Sequence, residues 1–234
     1  MRRHPLDGPH YWERSAHWDK IKTPFLSAGN WGGHGLHLRG NVEGFVRAAS
    51  QQKWLEIHGQ AHSTHFYTKY GIALQKKFLA HFLKGEDNGW DKQPPVQVNV
   101  RHPGEKFVVR LENEWPIART QWTKYYLEPD SKGFEPVEPQ CTARVSFEAF
   151  GDGLMFLSAP FAQETEITGP AAAKLFVSSS TPDADLFVIL RLFDPAGKEV
   201  LFRGANDPKQ PIAFGWLRAS HRKLDPELSE PYRP

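Results

Sequence analysis

Cysteine is almost missing from this sequence. Cys141 is the single example among 234 residues, which excludes an internal disulfide framework and suits a reducing compartment. Long apolar runs are missing as well. No stretch approaches the ~18 consecutive apolar residues that a membrane-spanning helix requires. The opening Met1-Arg2-Arg3-His4-Pro5-Leu6-Asp7-Gly8 has no apolar segment of the signal-peptide kind. A soluble protein of the cytoplasm without membrane contact is therefore expected. Neither sign of charge dominates: 29 Lys and Arg stand among 27 Asp and Glu, for a net charge of +2. The interspersed signs form no basic stripe, so nucleic acid is not an expected partner. Internal repeats and low-complexity tracts are absent too. What remains is 39% apolar and 13% aromatic, enough for a packed core and too apolar for a disordered chain. The length holds one large domain or two ordinary ones.

Up to about Gly89 the pattern mixes short strands with helices. Residues 22–28 predict a buried strand entered through Pro24, which breaks into the Gly-rich turn 29–35. Val42, Phe45, Val46 and Ala49 recur at helical spacing, with Asn41 as the expected N-cap. A strand at 53–57 follows, then a helix over about 67–83 whose apolar face holds Ile72, Leu74, Phe78, Leu79, Phe82 and Leu83. Gly85 suits its C-terminal stop. Two strand–turn–helix units in succession predict a parallel sheet.

Beyond Pro94 the chain reads as alternating strands at 96–100, 123–127, 143–147, 174–178 and 185–193, separated by turns rich in Pro, Gly and Asp. Strands without intervening helices predict a β-sandwich or jelly roll. The Pro94-Pro95 pair marks the change of character. The expected fold class is thus α/β followed by all-β, with domains at 1–92 and 93–234. A jelly roll has roughly eight strands and about six candidates are present, so an incomplete one is expected.

The most informative stretch is Lys53-Trp54-Leu55-Glu56-Ile57-His58-Gly59-Gln60-Ala61-His62-Ser63-Thr64-His65. An apolar strand ends in a turn crowded with histidine, just before a helix. In open α/β sheets chemistry collects beyond the carboxyl ends of the strands, and there an α/β-hydrolase keeps its general base. The matching G-x-S-x-G nucleophile elbow is absent. Phe25-Leu26-Ser27-Ala28-Gly29 comes nearest, with Phe where the first Gly belongs.

These residues, with 27–37 (Ser27-Ala28-Gly29-Asn30-Trp31-Gly32-Gly33-His34-Gly35-Leu36-His37), Phe82-Leu83-Lys84-Gly85-Glu86-Asp87-Asn88-Gly89-Trp90, Glu112-Asn113-Glu114-Trp115-Pro116, 178–187 and 215–222, resemble the CocE/NonD hydrolases. That family includes cocaine esterase and the Xaa-Pro dipeptidyl-peptidases of the S15 type, and the resemblance covers essentially the whole chain. It implies a partial α/β-hydrolase domain followed by a jelly roll, and cleavage of small esters, amides or Xaa-Pro peptides by a Ser-Asp-His triad. His62 falls on the catalytic histidine. Gly33 stands where the acidic member is expected, and the nucleophile would lie upstream of Met1. The resemblance thus implies the back half of a serine hydrolase.

The bland readings weigh against several other residues. Glu56, Asp19 and Glu43 are candidate acids, each more readily read as a surface carboxylate. Trp31, His34, His58 and His65 are read as lining the substrate pocket. A metal site at the histidines is set aside, because the spacing is not helix-borne H-E-x-x-H and no second carboxylate motif completes it. No cofactor is expected. Asp183 and Asp185 suit a turn better than calcium. Trp115, Trp122 and Trp216 read as packing residues rather than a sugar-binding face. A chain with these exposed strand edges is expected to aggregate or form homo-oligomers. The alternative to a hydrolase portion is a non-catalytic fragment or pseudoenzyme whose β-sandwich serves as an interaction or carbohydrate-binding module.

Overall fold

A computed structural model describes His4, Leu6, and residues 8–35 and 37–233. Leu36 of the resemblance motif, Met1, Arg2, Arg3, Pro5 and Asp7 of the N-terminal reading, and Pro234 lie outside the described residues. The chain divides into two compact units, Met1–Ile117 with Pro170–Pro234, and Ala118–Gly169. Among the described residues strands outnumber helices.

The first unit is organised by a four-stranded sheet in the order β1-β2-β3-β4. The strands are β1 (Phe25–Asn30), β2 (Lys53–His58), β3 (Val96–His102) and β4 (Lys106–Glu112). The first three run parallel and β4 is antiparallel to β3. The expected parallel sheet is therefore present, and β3, from beyond the expected boundary at 92/93, extends it. After the short helix α1 (Pro9–Trp12), helix α2 (Leu38–Arg47) connects β1 to β2, and α3 (Lys69–Lys84) follows β2.

Strand alternation decides what each face of β2 meets. Every residue of β2 after Lys53 is buried, as befits a central strand covered on both sides. Leu55 and Ile57 join Phe45 of α2, Val96, Val98 and Val100 of β3, and Trp115 and Ile117 in one core cluster. Full burial of each such side chain stabilises by about 1.5–3 kcal/mol. Trp54 lies on the other face, in ring contact with Phe78 and Phe82 of α3 and with Trp90. Period-two geometry puts Glu56 and His58 on that same side, toward the start of α3.

The helix ends follow local chemistry. Thr68 caps α3, its Oγ1 accepting from the Gly71 N–H at 3.1 Å. Gly85 closes it with φ 70, in the left-handed region where a side chain is strained. Asn41 is not the cap of α2, which begins three residues earlier, after His37. Its side chain instead reaches across to β1, donating to Ser27 Oγ at 3.2 Å and to the Ala28 carbonyl at 3.1 Å. A better use for the amide outcompeted the cap.

The first unit also holds the antiparallel pair β7 (Asp185–Leu190) and β8 (Ala213–Arg218), while the second holds β5 (Tyr126–Glu128) and β6 (Gly133–Glu135). Residues 143–147 and 174–178 are not strands. Alternation becomes a strand only where another segment lies ~4.8 Å away to complete the ladder. Phe147 and Phe176 are exposed.

Candidate functional site

Parallel pairing brings the carboxyl ends of β1 and β2 to one edge, with Asn30 opposite His58. The Gly-rich turn and the histidine turn therefore leave the sheet side by side. The Trp31 N–H continues the ladder to the His58 carbonyl at 2.7 Å. The Asn30 amide then joins the two turns. Its Nδ2 donates to the carbonyls of Gly59 (3.2 Å) and Gln60 (2.8 Å), and its Oδ1 accepts from the Gly32 N–H at 2.7 Å. Gln60 takes a left-handed conformation, φ 68, in the middle of this clasp.

A third segment locks the arrangement. The Ala205 N–H donates to the Gly32 carbonyl at 3.1 Å, and the His62 N–H donates to the Ala205 carbonyl at 3.0 Å. Gly32 is glycine because its neighbour demands it: a Cβ there would collide with the backbone at Gly204 and Ala205. His62 thus has an anchored backbone and an exposed imidazole, which lies against the ring of His37 with centroids 5.1 Å apart.

The second grouping lies behind this rim. Glu56 is 1% exposed, so reading it as a surface carboxylate is corrected. Position 56 is on a strand buried on both faces, and no water-facing side exists there. The carboxylate is surrounded by donors instead. His58 Nδ1 lies 2.7 Å from Oε2, and Asn99 Nδ2 and Tyr70 Oη donate to Oε1 at 3.2 and 3.3 Å. An ionised carboxylate only accepts, so His58 carries its proton on Nδ1. His65 Nε2 is 3.4 Å from Oε1, and the His58 and His65 rings stack with centroids 4.0 Å apart. Burial pushes the Glu56 carboxyl up, but the two imidazoles beside it outweigh this and hold it below its ordinary value. Burial, and then the Glu56 charge, push the Tyr70 phenol up.

The other candidates spread out. Trp31 packs partly buried against the core, its Nε1 donating to the Asn99 carbonyl at 2.8 Å. His34 faces Phe214 edge-on, and burial followed by the Arg101 charge lowers its pKa. Arg101 stacks over Phe202 at 4.4 Å and donates to the Ile212 carbonyl at 2.8 Å, and burial lowers its pKa to about 10 against the pull of Glu105. Asp19 is exposed, while Glu43 pairs with Arg233 at 2.7 Å. A side chain at Gly33 would press on the Asn30 carbonyl at 3.0 Å. Ser27 donates to the Asn41 carbonyl at 3.0 Å from within β1.

Asp183 accepts from Ser220 and Asp185 pairs with Arg218 at 2.7 Å, joining the β7–β8 ends. Trp115 is buried in the core as expected, but Trp216 is 53% exposed and Trp122 50%. For those two the expectation of full packing is corrected: about half of each side chain faces solvent. The sequence reading missed Asn30 and Asn99. The signal for Asn30 was its place at the end of β1, one strand from the histidine turn.

The sequence profile of the X-Pro dipeptidyl-peptidase C-terminal non-catalytic domain matches residues 88–234. Two curated relatives, from Mycobacterium bovis and Mycobacterium tuberculosis, carry the provisional name of serine esterase. Each is 28% identical over an alignment that covers 67% of this chain and 27% of the relative. Among solved structures, a CocE/NonD family hydrolase from Staphylococcus aureus superposes with a TM-score of 0.90 at 29% identity, covering 99% of this chain and 42% of that one. A second structure bearing the same family name gives 0.89. The chain thus spans about a quarter of the curated relatives' length and under half of the solved hydrolase. His62 and Glu56 precede the profile match, and Asn99 and Ala205 fall inside it.

Proposed function

The chain belongs to the family of X-Pro dipeptidyl-peptidase C-terminal non-catalytic domains, as the C-terminal portion of a CocE/NonD hydrolase, and from that premise we propose that it supplies the general base, His62, to a serine hydrolase whose nucleophile lies on polypeptide outside these residues. In this reading residues 1–92 are the last strands and helices of an α/β-hydrolase domain, and 93–234 contribute a jelly roll. Substrates would be small esters, amides or Xaa-Pro peptides. His62 Nε2 takes the serine proton as Oγ attacks the carbonyl, passes it to the leaving group, and then activates water against the acyl-enzyme.

One observation carries this proposal: the His62 turn is clasped at the carboxyl edge of a parallel sheet while its imidazole is exposed. A general base needs that combination of fixed backbone and accessible ring. None of the described carboxylates is bonded to the His62 ring, and Glu56 is engaged by His58. His62 would then be oriented without an acid, at a cost in rate.

A second reading is a purely non-catalytic module for interaction or carbohydrate binding. The non-catalytic character of the matched domain family and the exposed Trp216 favour it. Labelling with a fluorophosphonate probe separates the two. The chain alone should take no label. A chimera with this chain in place of the matching C-terminal portion of the S. aureus hydrolase should be labelled on the host's serine. A folded chimera that stays unlabelled would leave the second reading.

A further inference from the structure

The buried trio on the α3 side of β2 has the chemistry of a ligand set, and it lies apart from the His62 rim. Glu56 and His58 alternate on one strand, so both point to one face, and His65 comes back to them on the turn 65–67. One potential ligand atom from each of Glu56, His58 and His65 lies within 4.8 Å of the other two. Ligands held at 2.0–2.1 Å from a tetrahedral zinc ion are about 3.3 Å apart. His65 Nε2 stands 3.4 Å from Glu56 Oε1, at that spacing, while His58 Nδ1 is 2.7 Å from Oε2, a hydrogen-bond contact that would lengthen on ligation.

A second observation points the same way. His65 Nε2 is buried and has no hydrogen-bond partner, although it stands beside a carboxylate. A buried ring nitrogen without a partner costs about 1–3 kcal/mol, and ligation would satisfy it. The surrounding residues suit a metal centre as well: Asn99 and Tyr70 hydrogen-bond the carboxylate, as outer partners do for metal-ligating carboxylates. The carboxylate that the sequence reading found wanting comes from the strand, not the turn.

We infer that Glu56, His58 and His65 form a binding site for a zinc-type divalent cation, which would pin the histidine turn to β2. Two imidazoles and one carboxylate leave a fourth position for water. A cation lies in the plane of each imidazole that binds it, whereas these rings are 8° from parallel and stacked. Ligation therefore turns His65 out of the stack, and its place on the short turn 65–67, with the side chain 14% exposed, permits this. Binding through Nδ1 requires the His58 tautomer that carries its proton on Nε2, so ligation replaces the hydrogen bond to Glu56.

The test is equilibrium dialysis of the full 234-residue chain against Zn²⁺, with Co²⁺ as the spectroscopic substitute. One equivalent should bind, with the visible absorption of tetrahedral cobalt. His65→Ala and Glu56→Gln should each weaken binding at least tenfold, while His37→Ala should bind as the parent does. His65→Ala serves as the decisive variant because it removes a partly exposed side chain and should fold. Absence of stoichiometric uptake, undiminished uptake by His65→Ala, or loss of uptake in His37→Ala would each overturn the assignment.

Discussion

At the scale of single residues, Glu56 is the most consequential side chain. It is buried, ionised and satisfied by donors from β2, β3 and α3. Glu56→Ala would leave the His58 Nδ1 proton without its acceptor and Asn99 Nδ2 with the Ile57 carbonyl alone, and we expect a loss of about 3 kcal/mol in urea unfolding. The pH dependence has a definite sign. A carboxyl held below its ordinary 4.5 in the folded state contributes stability that is fully present above that value. The contribution is lost as pH falls through the folded pKa. Acid titration of the unfolding free energy should therefore show a decline on the acid side of 4.5 that is shallower in Glu56→Gln; equal slopes would remove Glu56 from the account. This role was hard to read from sequence. A lone Glu on a strand looks like a solvated residue until both faces are known to be covered. The catalytic candidate His62, by contrast, stood out through its position after an apolar strand.

At the scale of elements, the parallel strands were legible because apolar runs ending in Gly-rich turns leave few alternatives. Helix α3 was legible too, from its apolar spacing and its Gly85 stop. Thr68 supplies the other end, and Thr68→Ala should lower stability by about 1 kcal/mol in the same denaturant assay. The clasp between turns was not legible, since it depends on residues far apart in sequence: Asn30, Gly59, Gln60 and Ala205. Gly32→Ala tests it. A methyl group there meets the 204–205 backbone, so the segment should withdraw and the His62 amide, bonded to Ala205, should lose protection from hydrogen exchange. Unchanged protection would mean that the histidine turn is held by Asn30 alone. The strands expected at 143–147 and 174–178 failed for a related reason. Alternation records propensity, whereas pairing depends on a partner that local sequence does not specify.

At the scale of the molecule, apolar side chains are left on the outside of several elements. Ile72, Leu79 and Leu83 of α3 are exposed, as are Val108, Val109 and Leu111 of β4, and Phe187 and Ile189 of β7. β1 forms one edge of its sheet, and an open edge beside apolar surface invites further pairing. We propose that the isolated chain self-associates. Light scattering after size exclusion should give a mass above the 26.7 kDa of one chain, and a monodisperse monomer with a sharp, reversible melt would contradict this.

The account rests most heavily on His62 as the base of a CocE/NonD-type serine hydrolase. The direct measurement is kcat/KM for an activated ester in the chimera with the S. aureus hydrolase, compared between His62 and His62→Ala at matched thermal stability. Loss of a triad member leaves only binding and the oxyanion hole to act, so the account predicts a fall of about 10³-fold or more. Equal rates with Ala and His at position 62 would contradict it.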